Sequence, residues 1–170
     1  MSETFTLYKL IVLFMLQKVD FPLTNAQISG FILDKGYTNY FTLQQAISEM
    51  IDSNLIRVET THNRSIYHLT DEGTETIAFF GHKISTAIQD DINSFLKEKQ
   101  YDLKEETSVK ADYFRNTNRE YSVRCQIQEN GISLIDLNLT VPNESEATAI
   151  VNNWNTKNQE IYALIMQNLL

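Results

Sequence analysis

Side-chain amides and hydroxyls crowd one short stretch of this chain, and their chemistry suits hydrogen bonding to a patterned polar surface. Between residues 39 and 48 stand Asn39, Tyr40, Thr42, Gln44, Gln45 and Ser48. Gln and Asn present a donor beside an acceptor, the pair that matches the major-groove edge of adenine, while Thr and Ser hydroxyls bond base edges or phosphates. A phenol such as Tyr40 can reach a phosphate oxygen. Further on, His62, Asn63 and Arg64 form a polar tip at which a guanidinium can enter a minor groove or meet the backbone. These nine residues are the candidate contacts to double-stranded DNA. The plainer alternative is that they are the solvated face of a helix and the end of a hairpin.

Other chemistries find little support. The three histidines, His62, His68 and His82, show no His-x-x-x-His spacing, and the single cysteine, Cys125, cannot build a thiolate metal site, so neither a metal nor a cofactor is expected. Cys125 alternates with Val123 and Ile127 on an apolar strand face and reads as a small, inert core residue. The acidic pairs Asp90-Asp91 and Glu105-Glu106 stand beside no nucleophile or phosphate loop and read as surface charge. Arg115, Arg119 and Arg124 surround the turn Asn116-Thr117-Asn118, where an anion could sit or a hairpin could simply be solvated. No catalytic set emerges.

The elements that must position the candidates can be read from periodicity. Leu7, Leu10, Ile11, Phe14 and Met15 fall on one helical face, and Val12, Leu13 and Leu16 add a second apolar flank. A helix apolar nearly all round is buried on two sides, so a partner is expected on that second flank. After the break Phe21-Pro22-Leu23, Thr24-x-x-Gln27 is a capping box that starts a second helix, which Lys35-Gly36 ends. Thr42-x-x-Gln45 is read as another capping box, opening a third helix with Leu43, Ala46, Ile47, Met50 and Ile51 inward. Gln45, Ser48 and Asp52 then face outward, with Thr42, Gln44 and Glu49 on the flanks. Residues 55 to 69 alternate as two strands around a polar loop, and the second runs into Tyr67-x-Leu69-Thr70-x-x-Gly73 at the start of another helix. Gly81 separates residues 70 to 80 from a longer helix, 82 to 98, striped by Ile84, Ile88, Ile92 and Phe95.

The period then falls to two. Leu103, Thr107, Val109, Ala111 and Tyr113 are assigned to one strand face, and Tyr121, Val123, Cys125 and Ile127 to a second strand that turns at Glu129-Asn130-Gly131. In the third strand Ile132 and Leu134 are out of phase with Leu137, Leu139 and Val141, which predicts a bulge near Ile135-Asp136. Asn143-x-x-Glu146 caps a final helix striped by Ala147, Ile150, Val151, Trp154, Ile161 and Ile165, expected to cover the sheet.

Composition bounds the rest. With 170 residues, 42% of them hydrophobic, the chain can bury one ordinary core or two small ones. Its longest apolar run, Leu10 to Leu16, is far short of the about 20 residues a spanning helix needs, so no membrane is expected. The start, Met-Ser-Glu-Thr-Phe, lacks a secretory pattern, and one cysteine fits a reducing compartment, so a cytoplasmic address is expected. A net charge of -8 opposes passive attraction to nucleic acid. Residues 1 to 80 hold five basic side chains against nine acidic ones, and residues 42 to 56 hold no Lys or Arg. Duplex affinity is dominated by phosphate neutralisation, so any DNA binding must be modest and weakly salt-dependent.

Leu43-x-x-Ala46-Ile47-x-x-Met50-Ile51, Leu55-Ile56 and Tyr67-x-Leu69-Thr70-x-x-Gly73 resemble bacterial winged-helix transcription regulators of the PadR-like kind. With the meander and terminal helix that follow, the whole chain resembles the bacterial family catalogued as domain of unknown function 4364. The resemblance implies a DNA-binding homodimer with a C-terminal regulatory or dimerisation domain. The expected fold is therefore α+β: an N-terminal winged helix-turn-helix (1–80), a linking helix (81–99), and a small α+β domain (100–170) with a three-stranded antiparallel sheet covered by the C-terminal helix. The expected function is that of a non-enzymatic transcription regulator. The alternatives are a winged-helix protein-interaction module that does not bind DNA and, third, a ligand-sensing or enzymatic C-terminal domain.

Overall fold

The computed structural model describes residues 2–61 and 64–170. The fold is α+β, with two three-stranded antiparallel sheets, of order β1-β3-β2 and β4-β5-β6, and, among the described residues, six α-helices. The chain divides into two compact units, Met1–Thr107 and Ser108–Leu170.

Unit 1 contains α1 (Glu3–Gln17), β1 (Leu23–Thr24), α2 (Asn25–Asp34), α3 (Tyr40–Asp52), β2 (Ile56–Thr60), β3 (Ser65–Leu69), α4 (Asp71–Phe80), a 3-10 turn (Gly81–Lys83) and α5 (Thr86–Ser108), whose last residue begins unit 2. Its core is built around α1. Leu10 to Leu16 are all buried, none more than 6% exposed, because α3, α4 and β3 enclose the helix within the same chain. The all-round apolar character is thus accounted for inside unit 1, and the expectation of a partner on its second flank is corrected. The stripe of α5 is likewise absorbed, with Ile92, Leu96 and Leu103 in that core together with Ile84, which precedes the helix.

Local chemistry sets the other boundaries. The Thr24–Gln27 capping box forms as expected, Thr24 Oγ1 accepting from Gln27 N at 3.1 Å and Gln27 Oε1 from Thr24 N at 2.9 Å. Gly36, at φ +70, ends α2 in the left-handed conformation that an L side chain resists. The second capping box does not form. Asn39, not Thr42, caps α3, accepting from Thr42 N at 2.9 Å, so the helix starts at Tyr40. The two-residue β1, which pairs Leu23 with Tyr67 and Thr24 with Ile66, is hidden in sequence by the adjoining Pro22.

The helix α5 also outruns its expected end. Leu103 and Thr107, taken as strand residues, are spaced i, i+4 and extend the buried stripe of Ile92 and Leu96 through the helix-favouring run Lys104-Glu105-Glu106.

Unit 2 consists of β4 (Val109–Arg115), β5 (Tyr121–Glu129), β6 (Ile132–Val141) and α6 (Glu144–Leu169). Ala111 pairs with Cys125 and Cys125 with Leu137, so one face of all three strands is apolar. The predicted irregularity is present: Ile127 pairs with Ile135 but Gln128 with Ser133, leaving Leu134 as the extra residue. Asn143 caps α6 by accepting from Glu146 N at 2.9 Å, and Trp154 Nε1 donates to the main-chain oxygen of Gln126 at 3.2 Å, fixing the helix on the sheet. Among the described residues, no helix is long and apolar enough to cross a membrane.

Candidate nucleic-acid interface

The turn that precedes α3 is pinned to α5. Tyr37 OH donates to Asp91 Oδ2 at 2.6 Å, and Lys35 Nζ lies 3.9 Å from the same carboxylate. Burial, then the Asp91 carboxylate, push the Tyr37 phenol well above its ordinary pKa, so it stays a donor. With Asn39 capping and Leu43, Ala46, Ile47 and Met50 buried, the orientation of α3 is fixed from within.

Of the predicted contacts, Tyr40, Gln45 and Ser48 are exposed on α3, Thr42 is half-buried beside them, and Asn39 is exposed but already serves as the cap. Gln44 is turned inward. Its Oε1 accepts from Asn25 Nδ2 at 2.8 Å, and its Nε2 donates to Asn25 Oδ1 at 3.3 Å and Ser29 Oγ at 3.4 Å. Asn25 Nδ2 also donates to Tyr67 OH at 2.8 Å, joining α2, α3 and β3 in one network. Burial raises the Tyr67 pKa and the Asn25 contact works the other way. An amide so engaged is a structural tie rather than a groove reader.

The hairpin β2–β3 runs in register from Ile56 opposite Leu69 to Thr60 opposite Ser65, and Thr61 N donates to Arg64 O at 2.9 Å. Arg64 turns back rather than outward: its Nη1 donates to the main-chain oxygen of Glu106 on α5. Burial lowers its pKa, opposed by the Glu106 and Glu59 carboxylates, and the guanidinium remains charged. His62 and Asn63 lie outside the described residues.

Two features of the surface were missed in reading the sequence. Glu49, an acid on the flank of α3, is bound by Lys9 of α1 at 2.7 Å, which leaves Asp52 as the acid on its outward face. Phe41 is 88% exposed at the second position of α3, beside Tyr40 at 53%. Its signal was present all along: Phe41 is out of phase with the buried stripe at 43, 46, 47 and 50.

The outward face of α3 therefore offers an amide, hydroxyls and two aromatic rings, with few cations. Such a set can bond base edges and touch thymine methyl groups but neutralises little phosphate. Among the described residues, no group of three or more His, Cys, Asp or Glu side chains is placed to hold a metal ion. A family model described as Domain of unknown function (DUF4364) matches residues 8–169. No curated protein and no solved structure matches the chain.

Proposed function

We propose that this chain, which belongs to the DUF4364 family, is a transcription regulator whose unit 1 is a winged helix-turn-helix that lays α3 in the major groove of double-stranded DNA. The order α1-β1-α2-α3-β2-β3, with the short β1 closing the sheet against the hairpin, supports this reading. The observation that carries it is the division of α3 into an inner face locked into the core and an outer face of Tyr40, Phe41, Gln45 and Ser48 that is solvent-exposed. Two copies of the chain would present two such helices to one duplex.

Gln45 is then the main base reader, in place of Gln44, whose amide is engaged by Asn25 and Ser29. Since Lys9, Lys35 and Arg64 contact Glu49, Asp91 and Glu106, few cations face phosphate, and affinity should fall only gently with salt. The test is selection from a random duplex pool at low salt, followed by anisotropy titrations of Gln45→Ala on the enriched sequence. A penalty of about 1–3 kcal/mol on that sequence and little elsewhere is expected. Recovery of no enriched sequence at low salt refutes the proposal.

The exposure of Phe41 and the engaged cations favour a second reading, a protein-interaction module that docks through the same face. A protein partner lost on Phe41→Ala, with no sequence enriched, selects it.

A further inference from the structure

Unit 2 holds two apolar surfaces that its own elements leave open, and they are complementary in kind. The first is the distal half of α6. The 26 residues of this helix span about 39 Å, yet its buried positions, Ala147, Val151, Trp154 and Asn158, all lie in its first 15 residues. From Ile161 to Leu170 there is no charged side chain, and Leu164, Met166 and Leu169 are 59%, 36% and 77% exposed. A helix segment apolar on most sides is normally enclosed.

The second surface is β6. Among the described residues it is an edge strand bonded to β5 alone, and pairing puts Ile135, Leu137 and Leu139 on the same face as Ile127, Cys125 and Val123. On β5 that face is sealed, but α6 packs chiefly over β4 and β5, and along β6 Leu139 remains 44% exposed, with Leu134 at 43% and Ile132 at 66%. One part of the unit is thus a helix end that runs past the sheet beyond Ile161 and Tyr162, and another is a sheet row that the helix only partly covers, with Ile135, Leu137 and Val141 against the core and Leu139 open. Layered architectures close by joining such pieces.

We propose that the occupant is a second copy of this chain, the distal half of α6 in each copy lying across the open row of β6 in the other. The exchange is two-fold and self-complementary, so it closes without leaving either surface bare. The six exposed residues present roughly 500 Å² of mostly apolar surface per copy at ordinary side-chain areas. Doubled, that is about 1,000 Å², the threshold that a specific interface must clear. Charge points the same way. Two copies of net charge -8 repel, but residues 161–170 carry no charged side chain, and neither does the row Ile135, Leu137 and Leu139, with Glu129, opposite Ile132, only at its edge. The acid of β6, Asp136, lies in the row that faces away from α6, where Arg124 binds it through two hydrogen bonds of 2.9 and 2.7 Å.

The proposal does not depend on the DNA reading, and its test contains no DNA. Sedimentation equilibrium of the full chain at micromolar concentration should give a dimer. Leu139→Lys and Leu164→Glu should each weaken association at least tenfold, with far-UV ellipticity unchanged, which shows that the monomer stays folded. An equimolar mixture of the two variants should dimerise again, because the introduced ammonium at 139 meets the introduced carboxylate at 164 while the other half of the interface is native. A monomeric wild type overturns the proposal, as does a variant that stays dimeric or a mixture that stays monomeric.

Discussion

Gly73 should be the least replaceable glycine of the chain, and the reason is a contact rather than a backbone angle. It is the third residue of α4, whose N-cap Thr70 accepts from Gly73 N at 3.0 Å and lies 2.8 Å from the main-chain oxygen of Leu55, to which its hydroxyl donates. A Cβ on Gly73 would sit 2.1 Å from that same Leu55 oxygen and 2.8 Å from Leu69 Cδ1. Leu55 cannot readily retreat, since its nitrogen donates to Met50 O at 2.9 Å and its oxygen also accepts from Thr70 N at 3.3 Å. Helix propensity alone would reward Gly73→Ala by about 1 kcal/mol. Against this stand overpacking of about 1–3 kcal/mol and disturbance of a cap worth about 1 kcal/mol. The net expectation is a loss of roughly 2 kcal/mol, or a fall in melting temperature on the order of 10 °C. Gly81→Ala is the control, because its Cβ would meet Ile77 Cδ1 at an ordinary 3.6 Å, and it should be neutral or slightly stabilising. Urea unfolding should be followed by far-UV ellipticity, since the single tryptophan, Trp154, reports on unit 2. Equal stability of the two variants, or a stabilised Gly73→Ala, refutes the argument.

The remaining predictions concern two residues in the core of unit 2. Cys125 is 1% exposed and burial pushes its thiol from 9.0 to about 11, so a thiol reagent should label the native protein only as fast as it opens, and Cys125→Ala should lose roughly 1–2 kcal/mol. Because the folded pKa is raised, the stability Cys125 contributes is complete below about pH 9 and is lost as pH rises toward about 11, so wild type and Cys125→Ala should converge across that window in pH-dependent unfolding. Asn158 is 6% exposed on the sheet-facing stripe of α6; its Nδ2 donates to Trp154 O at 2.9 Å, but its Oδ1 has no hydrogen-bond partner among the described residues. Asn158→Leu should therefore raise the unfolding free energy by about 1 kcal/mol, and a destabilised variant in denaturant titration would show that the amide is needed where it stands.

The sequence by itself determined what depends on near neighbours. The Thr24–Gln27 box, the stop at Gly36, the β5–β6 turn, the irregularity in β6 and the inward stripes of α3 and of α6 as far as Ile161, though not on to Ile165, follow from residues within about one helical turn or one strand pair of each other, where periodicity and capping chemistry act. Tertiary structure alone decided which polar groups remained available. Gln44 and Arg64 looked alike as outward donors, but the first is held by Asn25 and the second by Glu106, residues 19 and 42 positions away. Glu49 counted as an unopposed acid until Lys9, 40 positions earlier, came within 2.7 Å. The same holds for α1, whose apolar flanks say that something covers them without saying whether it is another chain or α3 and α4 of its own. A hydrophobic period records which face turns from water, because burial is proportional to apolar area and indifferent to its source. The identity of the covering element, and the hydrogen bonds that distant side chains then make, arise only when the chain closes on itself.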